Sequence, residues 1–283
     1  METIREVLDW AEGLATRHGK EDSAVKLLLM YVTKRESYEI LASLDEKLSE
    51  VEIGQFKDYV EKYVHDGVPV QHLMGYETFF GYDFKVNEDV LIPRFETEEL
   101  VAKVLDVYSD YFDGECVDVV DVGCGSGAIG ITLRLEEPNM KVTLTDISDA
   151  ALNVSRTNAE ALGAEVDFLQ SDMLGTLMEQ GRKFDFLVSN PPYIPTVEEV
   201  DPLVLDNEPH LALFGGTDGL RFYREILSGA ATILKDRSVI AFEHAYSHRE
   251  AMAGLVREYF PDSEFETFKD MNGRDRMTVV KNF

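Results

Sequence analysis

From residue 116 onward the chain alternates short apolar runs with amphipathic ones, and that alternation leaves few folds open. The apolar runs cover residues 117–122, 142–145, 166–169, 184–188 and 239–242. Helical periodicity occupies about 128–136, 149–162, 220–234 and 247–259. Residues 265–268 and 277–280 close the chain, joined by a Gly-containing loop that suits antiparallel pairing at a sheet edge. Strands alternating with helices build a parallel sheet covered on both faces. The expectation is an α/β domain on a seven-stranded, mostly parallel sheet, with its ligands beyond the carboxyl ends of the strands.

The chain before this point has a different character. Ile4, Val7, Leu8, Ala11 and Leu14 keep helical spacing, and residues 24–32 are apolar nearly all round, as in the central helix of a bundle. Phe56, Tyr59, Val60, Tyr63 and Val64 repeat at helical intervals until Gly67 and Pro69 stop them. Residues 78–86 are aromatic and β-branched around Gly81, which predicts a hairpin. Ile92-Pro93-Arg94 reads as a connector, with Glu96 or Thr97 placed to cap a helix whose core face is Leu100, Val101, Val104, Leu105 and Tyr108. Three parts are therefore expected: a helical bundle at 1–75, serving as a structural cap or a partner-docking module, a β-hairpin linker at 76–96, and the sheet domain at 97–283.

Charge and cysteine usage narrow the function. The net charge is −27, and no Lys/Arg cluster offsets it, which disfavours a nucleic-acid partner. Cys116 and Cys124, if on one strand, lie roughly 26 Å apart at about 3.3 Å per residue, too far for a disulfide. The N-terminus carries early acidic residues and no long apolar core, and no stretch is long enough to span a bilayer. A soluble cytoplasmic protein is expected.

Two strand ends carry the chemistry. The first runs into Asp121-Val122-Gly123-Cys124-Gly125-Ser126-Gly127-Ala128-Ile129-Gly130, where the glycines permit a tight turn and close approach of a ligand to a helix N-terminus. Gly123, Gly125 and Gly127 fit G-x-G-x-G, and Gly125, Gly127 and Gly130 fit G-x-G-x-x-G. Asp146 ends the second strand, placed to accept from ribose hydroxyls, and Asp172 and Met173 follow the third, suited to an adenine. To this point a nicotinamide enzyme and a methyltransferase fit equally. The fourth strand decides between them, because it runs into Asn190-Pro191-Pro192-Tyr193. The prolines end the strand. An Asn oxygen and a proline carbonyl can each accept one N–H of a planar NH₂, and a tyrosine ring can stack on it. Methyl transfer to a delocalised nitrogen needs such a clamp; hydride transfer does not. His244 and His248 stand four apart but have no third ligand, so no metal is expected, and Glu243 reads as structural.

Several stretches together resemble the PrmC/HemK family of release factor glutamine methyltransferases: QHLMGYETFFGYDFKVNEDVLIPRFETEELV, DVGCGSGAIGI, LVSNPPYI, NEP, LFGGTDGLRFYREI and KDMNGRDRM. The resemblance covers essentially the whole chain and is weakest over the N-terminal helices. It implies a Rossmann-like class I methyltransferase domain preceded by a helical bundle and a hairpin. The implied activity is methylation of the glutamine in the Gly-Gly-Gln motif of class I peptide chain release factors by S-adenosylmethionine, without a metal. By position, Gly123, Cys124, Gly125, Ser126, Gly127, Asp146, Asp172, Met173 and Asn190 would hold the cofactor. Asn190, Pro191, Pro192 and Tyr193 would hold the glutamine, with Asn190, Pro191 and Tyr193 at the chemistry. The sequence departs from the family pattern at Phe95, where proline is usual, and at Phe242-Glu243-His244-Ala245, where only the glutamate is kept. Two other readings remain: an N6-adenine methyltransferase acting on nucleic acid, and a non-catalytic S-adenosylmethionine-binding module.

Overall fold

The computed structural model describes residues 2–283. They form two compact units, one running up to Tyr76 and including Val200–Asn207, the other Glu77–Glu199 with Glu208–Phe283.

In the first unit, helices α1 (Ile4–Arg17), α2 (Asp22–Thr33), α3 (Ser37–Ala42), α4 (Glu50–His65) and α5 (Val70–Met74) surround a core that includes Val7, Ala11, Val25, Leu28, Leu29, Phe56 and Val60. Their starts are set locally. Thr3 and Ser49 each accept the N–H of a glutamate three residues on, and that glutamate's carboxylate accepts the cap N–H in return. The late segment Val200–Asn207 joins this unit through Leu203, packed on its core, and through Asn207 Nδ2, which donates to Gly67 O at 2.8 Å.

The second unit opens at Glu77, within the hairpin of β1 (Tyr76–Phe79) and β2 (Tyr82–Lys85), which is followed by α6 (Phe95–Phe112). Then come β3 (Val117–Val122), α7 (Ala128–Glu136), β4 (Met140–Asp146), α8 (Asp149–Leu162), β5 (Asp167–Gln170), α9 (Gly175–Glu179) and β6 (Phe184–Ser189). The short α10 (Pro202–Leu205) lies in the first unit's late segment. After it follow α11 (Arg221–Ile233), β7 (Leu234–Glu243), α12 (Arg249–Tyr259), β8 (Glu264–Lys269) and β9 (Asp275–Asn282). The sheet order is β5-β4-β3-β6-β7-β9-β8, parallel except that β9 runs antiparallel to both β7 and β8. The closing pair is thus antiparallel as expected, but β9 is inserted inside the edge.

Strand alternation divides the core in two. Val119, Phe186, Val188, Val239 and Ala241 pack with α6, α7 and α8; Val120, Leu187, Ile240 and Phe242 pack with α9, α11 and α12. β7 begins five residues before its apolar run, and Lys235 explains the difference. Its ammonium is held at 2.7 Å by both Asp118 and Asp185, so a charged residue occupies a strand position that hydrophobic patterning passes over.

The start of α6 corrects the capping expectation. The helix begins at Phe95, Arg94 is its N-cap, and neither Glu96 nor Thr97 caps it. The entering chain is fixed from outside: Glu208 Oε2 accepts the Ile92 N–H at 3.0 Å and Oε1 accepts Arg94 Nη2 at 2.6 Å, and the helix starts before either candidate cap. Phe95 therefore stands at the first helical position, where proline is most at home and other residues are tolerated.

Candidate functional site

β3 is the point where the sheet order reverses: β4 and β5 follow on one side, β6 and β7 on the other. A crevice at the carboxyl ends of the strands is expected there. Asp121 pairs with Val188, which brings the glycine loop after β3 beside the turn after β6. A cavity of about 260 Å³ opens at this edge, wholly within the second unit.

One wall is the glycine loop. Gly123, Cys124, Gly125 and Ser126 line the cavity. Gly123 and Cys124 both donate to Thr145 O at 2.9 Å, tying the loop to β4. Gly127 lies beneath the wall as the N-cap of α7, at φ +82°, and a Cβ there would come within 2.7 Å of Ile131 Cδ1. Asp121, fully buried below the loop, accepts the Gly130 N–H at 2.9 Å, and burial pushes its carboxyl up to about 7. Burial, then the charges of Asp121 and Asp146, holds the Cys124 thiol well above its ordinary range, so it is a neutral group. Asn158 was not visible as a site residue. It is fully buried on α8 and binds β2 through Lys85 N (2.8 Å) and Lys85 O (3.1 Å), and the loop through Ser126 O (2.9 Å).

Asp146 ends β4 on the same wall. Its Oδ2 accepts Gly125 N–H at 3.0 Å and its Oδ1 accepts Ser148 N–H at 2.9 Å, which leaves lone pairs on both oxygens. Burial raises its pKa against these bonds. Asp172 and Met173 also line the cavity, with Met173 held at φ +44° while its carbonyl accepts the Ser171 hydroxyl at 2.9 Å.

The turn after β6 adjoins the glycine loop in the lining. Asn190 and Pro192 line the cavity; Pro191 is buried and Tyr193 stands half-buried behind the turn against the second core. Burial, then the nearby Glu243 carboxylate, pushes the Tyr193 phenol up to about 12. Asn190 Nδ2 donates to Thr97 Oγ1 at 3.2 Å, and Thr97 is itself a buried wall residue. The segment after the turn is braced by the glycine motif downstream. Ile194 N donates to Leu213 O at 3.0 Å, Gly215 N to Ile194 O at 2.9 Å and Thr196 N to Gly216 O at 2.9 Å.

Gly215 shows why that motif has a glycine. A Cβ there would strike the Pro192 carbonyl oxygen and come within 2.9 Å of Tyr193 Cα, both of them backbone atoms that cannot swing aside. Gly215→Ala is expected to cost about 1–3 kcal/mol of stability by overpacking. It should also slow turnover more than it weakens cofactor binding, since it displaces the turn and leaves the glycine loop alone. Urea unfolding and steady-state kinetics would check this; unchanged values for both would refute the packing argument.

Other wall residues came without a sequence signal for the site. Arg94 and Thr97 belonged to the connector and the helix start, while Pro209, Leu211 and Arg221 flank the glycine motif. Among the described residues no group of three or more His, Cys, Asp or Glu is placed to hold a metal ion, and no helix is long and apolar enough to cross a membrane.

The profile of the PrmC N-terminal domain matches residues 6–75 and that of the methyltransferase small domain residues 98–206. Over 280 residues the chain is 45% identical to the release factor glutamine methyltransferase of Bacillus subtilis, covering 98% of this chain and 96% of that one. It is 40% identical to the one from Bacillus cereus, covering 98% and 99%. Among solved structures, the T. Thermophilus 16S rRNA N2 G1207 methyltransferase, in complex with AdoMet and guanosine, superposes with a TM-score of 0.53 at 17% identity, over 74% of this chain and 50% of that one. That likeness is one of fold.

Proposed function

The chain belongs to the release factor glutamine methyltransferases, and on that premise we propose that Asn190, Pro191 and Tyr193 hold the side-chain amide of the Gly-Gly-Gln glutamine of class I peptide chain release factors during methyl transfer to its nitrogen. The protein is an S-adenosylmethionine-dependent methyltransferase. The observation that carries the site assignment is the pairing of β3 with β6, which sets the glycine loop and Asn190 side by side in the lining of one cavity.

The residues present fit the methyl donor. Asp146 keeps free lone pairs for ribose hydroxyls after holding Gly125 and Ser148, and Asp172 and Met173 offer a carboxylate and a thioether to an adenine. Bound S-adenosylmethionine supplies an electrophilic methyl group on a sulfonium. The protein's task is then orientation. An amide nitrogen is a poor nucleophile because its lone pair is delocalised into the carbonyl. Asn190 Oδ1 and a carbonyl of the Pro191-Pro192 segment each accept one N–H of the glutamine, which aims the nitrogen and favours the positive charge that develops on it. Orientation of this kind supplies about 7–11 kcal/mol in favourable cases. Tyr193, neutral at working pH, backs the planar group. With the donor bound, the nitrogen so held would take the methyl group, and the methylated amide would then lose its extra proton.

The first unit is the docking surface for the release factor in this reading. Tyr38, Leu41 and Val51 stand 70%, 66% and 78% exposed on it, apolar residues that a protein partner would cover. The two free cysteines suit a reducing cytoplasm.

Methyl transfer from a labelled donor tests the assignment. Label is expected on a release factor with Gly-Gly-Gln and absent from the same factor with that glutamine replaced. DNA and RNA oligonucleotides should stay unlabelled, since the net charge of −27 opposes their phosphates. Label on the oligonucleotides alone would overturn the reading.

A further inference from the structure

Glu243 ends β7 at a position the reaction above does not use. Ser189 pairs with Phe242, so the next residues of the two parallel strands, Asn190 and Glu243, stand side by side at the sheet edge. The carboxyl is buried, 1% exposed, and Oε2 has no hydrogen-bond partner among the described residues. Arg276 on β9, whose charge acts on it, is paired with Asp270 at 3.4 Å. A buried carboxylate without its own ion pair is costly to the fold. Its neighbours point to what it does. Thr97 on α6 and Asn190 both favour its ionised form, while Glu96 on α6, Arg276 on β9, Tyr193 on the turn and Tyr223 on α11 complete the charged and titratable groups around it.

We propose that Glu243 is a positioning residue that acts through Thr97 to fix which end of the Asn190 amide faces the substrate. An ionised carboxylate only accepts hydrogen bonds. The Thr97 hydroxyl therefore spends its proton on Glu243, and the Thr97 oxygen is left to accept. What meets that oxygen is Asn190 Nδ2, at 3.2 Å. The amide is planar, so Nδ2 at Thr97 sends Oδ1 to the cavity, where an acceptor is needed for the glutamine N–H. In the flipped amide two NH₂ groups would face each other and the clamp would repel its substrate. The direction of one hydrogen-bond chain, started by a carboxylate behind the wall, selects the productive orientation.

The same chain makes the site sensitive to pH. Burial, reinforced by the Glu96 charge, pushes the Glu243 carboxyl up to about 7 against the opposing effects of Thr97, Arg276 and Asn190. Above that pH the carboxylate is acceptor-only and Asn190 is locked. Below it the protonated group can itself donate, Thr97 is released from its direction, and both amide orientations are populated.

The inference rests on Asn190 accepting from the glutamine amide, and the test separates the two. The full-length protein is assayed on a Gly-Gly-Gln release factor as wild type, E243Q, T97V, T97S and the E243Q/T97V double variant. E243Q and T97V should each lower kcat about 10- to 100-fold, the range for a misplaced reacting group. KM and the affinity for S-adenosylhomocysteine should stay within about twofold of wild type. T97S keeps the hydroxyl and should retain wild-type turnover. The double variant should be no slower than the worse single one, because both break one chain. Wild-type kcat should fall below about pH 7, and that limb should vanish in E243Q. Wild-type kcat with an intact acid limb in E243Q, or losses that simply add in the double variant, would overturn the inference. A wild-type protein inactive on the glutamine would overturn the clamp reading beneath it.

Discussion

Asn190→Ala should lower kcat on a release factor by about 10²–10³-fold, the loss seen when one preorganised polar contact is removed from a transition state. The affinity for S-adenosylmethionine should change far less, because the glycine loop and Asp146 remain on their own wall. The turn itself should survive. Two prolines restrict its backbone, Gly215 seats against Pro192, and Ile194 is hydrogen-bonded on both sides to the downstream loop. On the proposed assignment the substitution removes the acceptor for the glutamine N–H, together with the donor to Thr97. A rate loss of this size corresponds to about 2.7–4 kcal/mol in the transition state, more than packing of a half-buried Asn side chain would account for. Single-turnover kinetics with saturating cofactor, set beside cofactor titration, separate the two effects. Unchanged turnover would remove Asn190 from the mechanism.

The second large effect is on stability. Glu208→Ala should cost about 2–3 kcal/mol, because it strips two donors at once. The Glu208 side chain is 2% exposed, and it satisfies the buried Ile92 N–H and the Arg94 guanidinium. Arg94 is 36% exposed and can turn to water, which keeps the cost below that of a fully buried pair. Glu208→Gln retains an acceptor for Ile92 and should cost less. The denaturant midpoint should fall with an unchanged slope if both states keep their compactness. Activity should suffer as well, since the anchored connector leads directly into α6, and α6 carries the Thr97 that holds Asn190. A midpoint equal to wild type would show that the connector is held by something else.

These two residues differ in how far each could be read in advance. Asn190 is legible because its chemistry is local: an apolar strand, two prolines and an aromatic ring fix where the chain turns and which groups the turn presents. Glu208 is opaque. Nothing in Asn207-Glu208-Pro209 says that its carboxylate reaches a backbone N–H more than a hundred residues earlier. The strands, the helices between them, the antiparallel closing pair and the glycine loop were likewise legible, since each depends on periodicity or on a local backbone requirement. Misread features all involved a distant partner. β7 starts early because Asp118 and Asp185 neutralise Lys235. Thr97 is a wall residue and not a cap, because the chain before it is pinned by Glu208.

The amino-acid sequence by itself determined the sheet architecture, the glycine loop and the Asn-Pro-Pro-Tyr turn, because backbone restriction and hydrophobic period act over a few residues. Only the tertiary structure decided that Thr97 and Glu243 stand behind Asn190, that Asn158 ties β2 to the glycine loop, and that Gly215 seats the turn. Those contacts join segments tens of residues or more apart along the chain. Their physical basis is that a buried polar group must find its partner wherever packing brings one, and packing is settled by the whole fold.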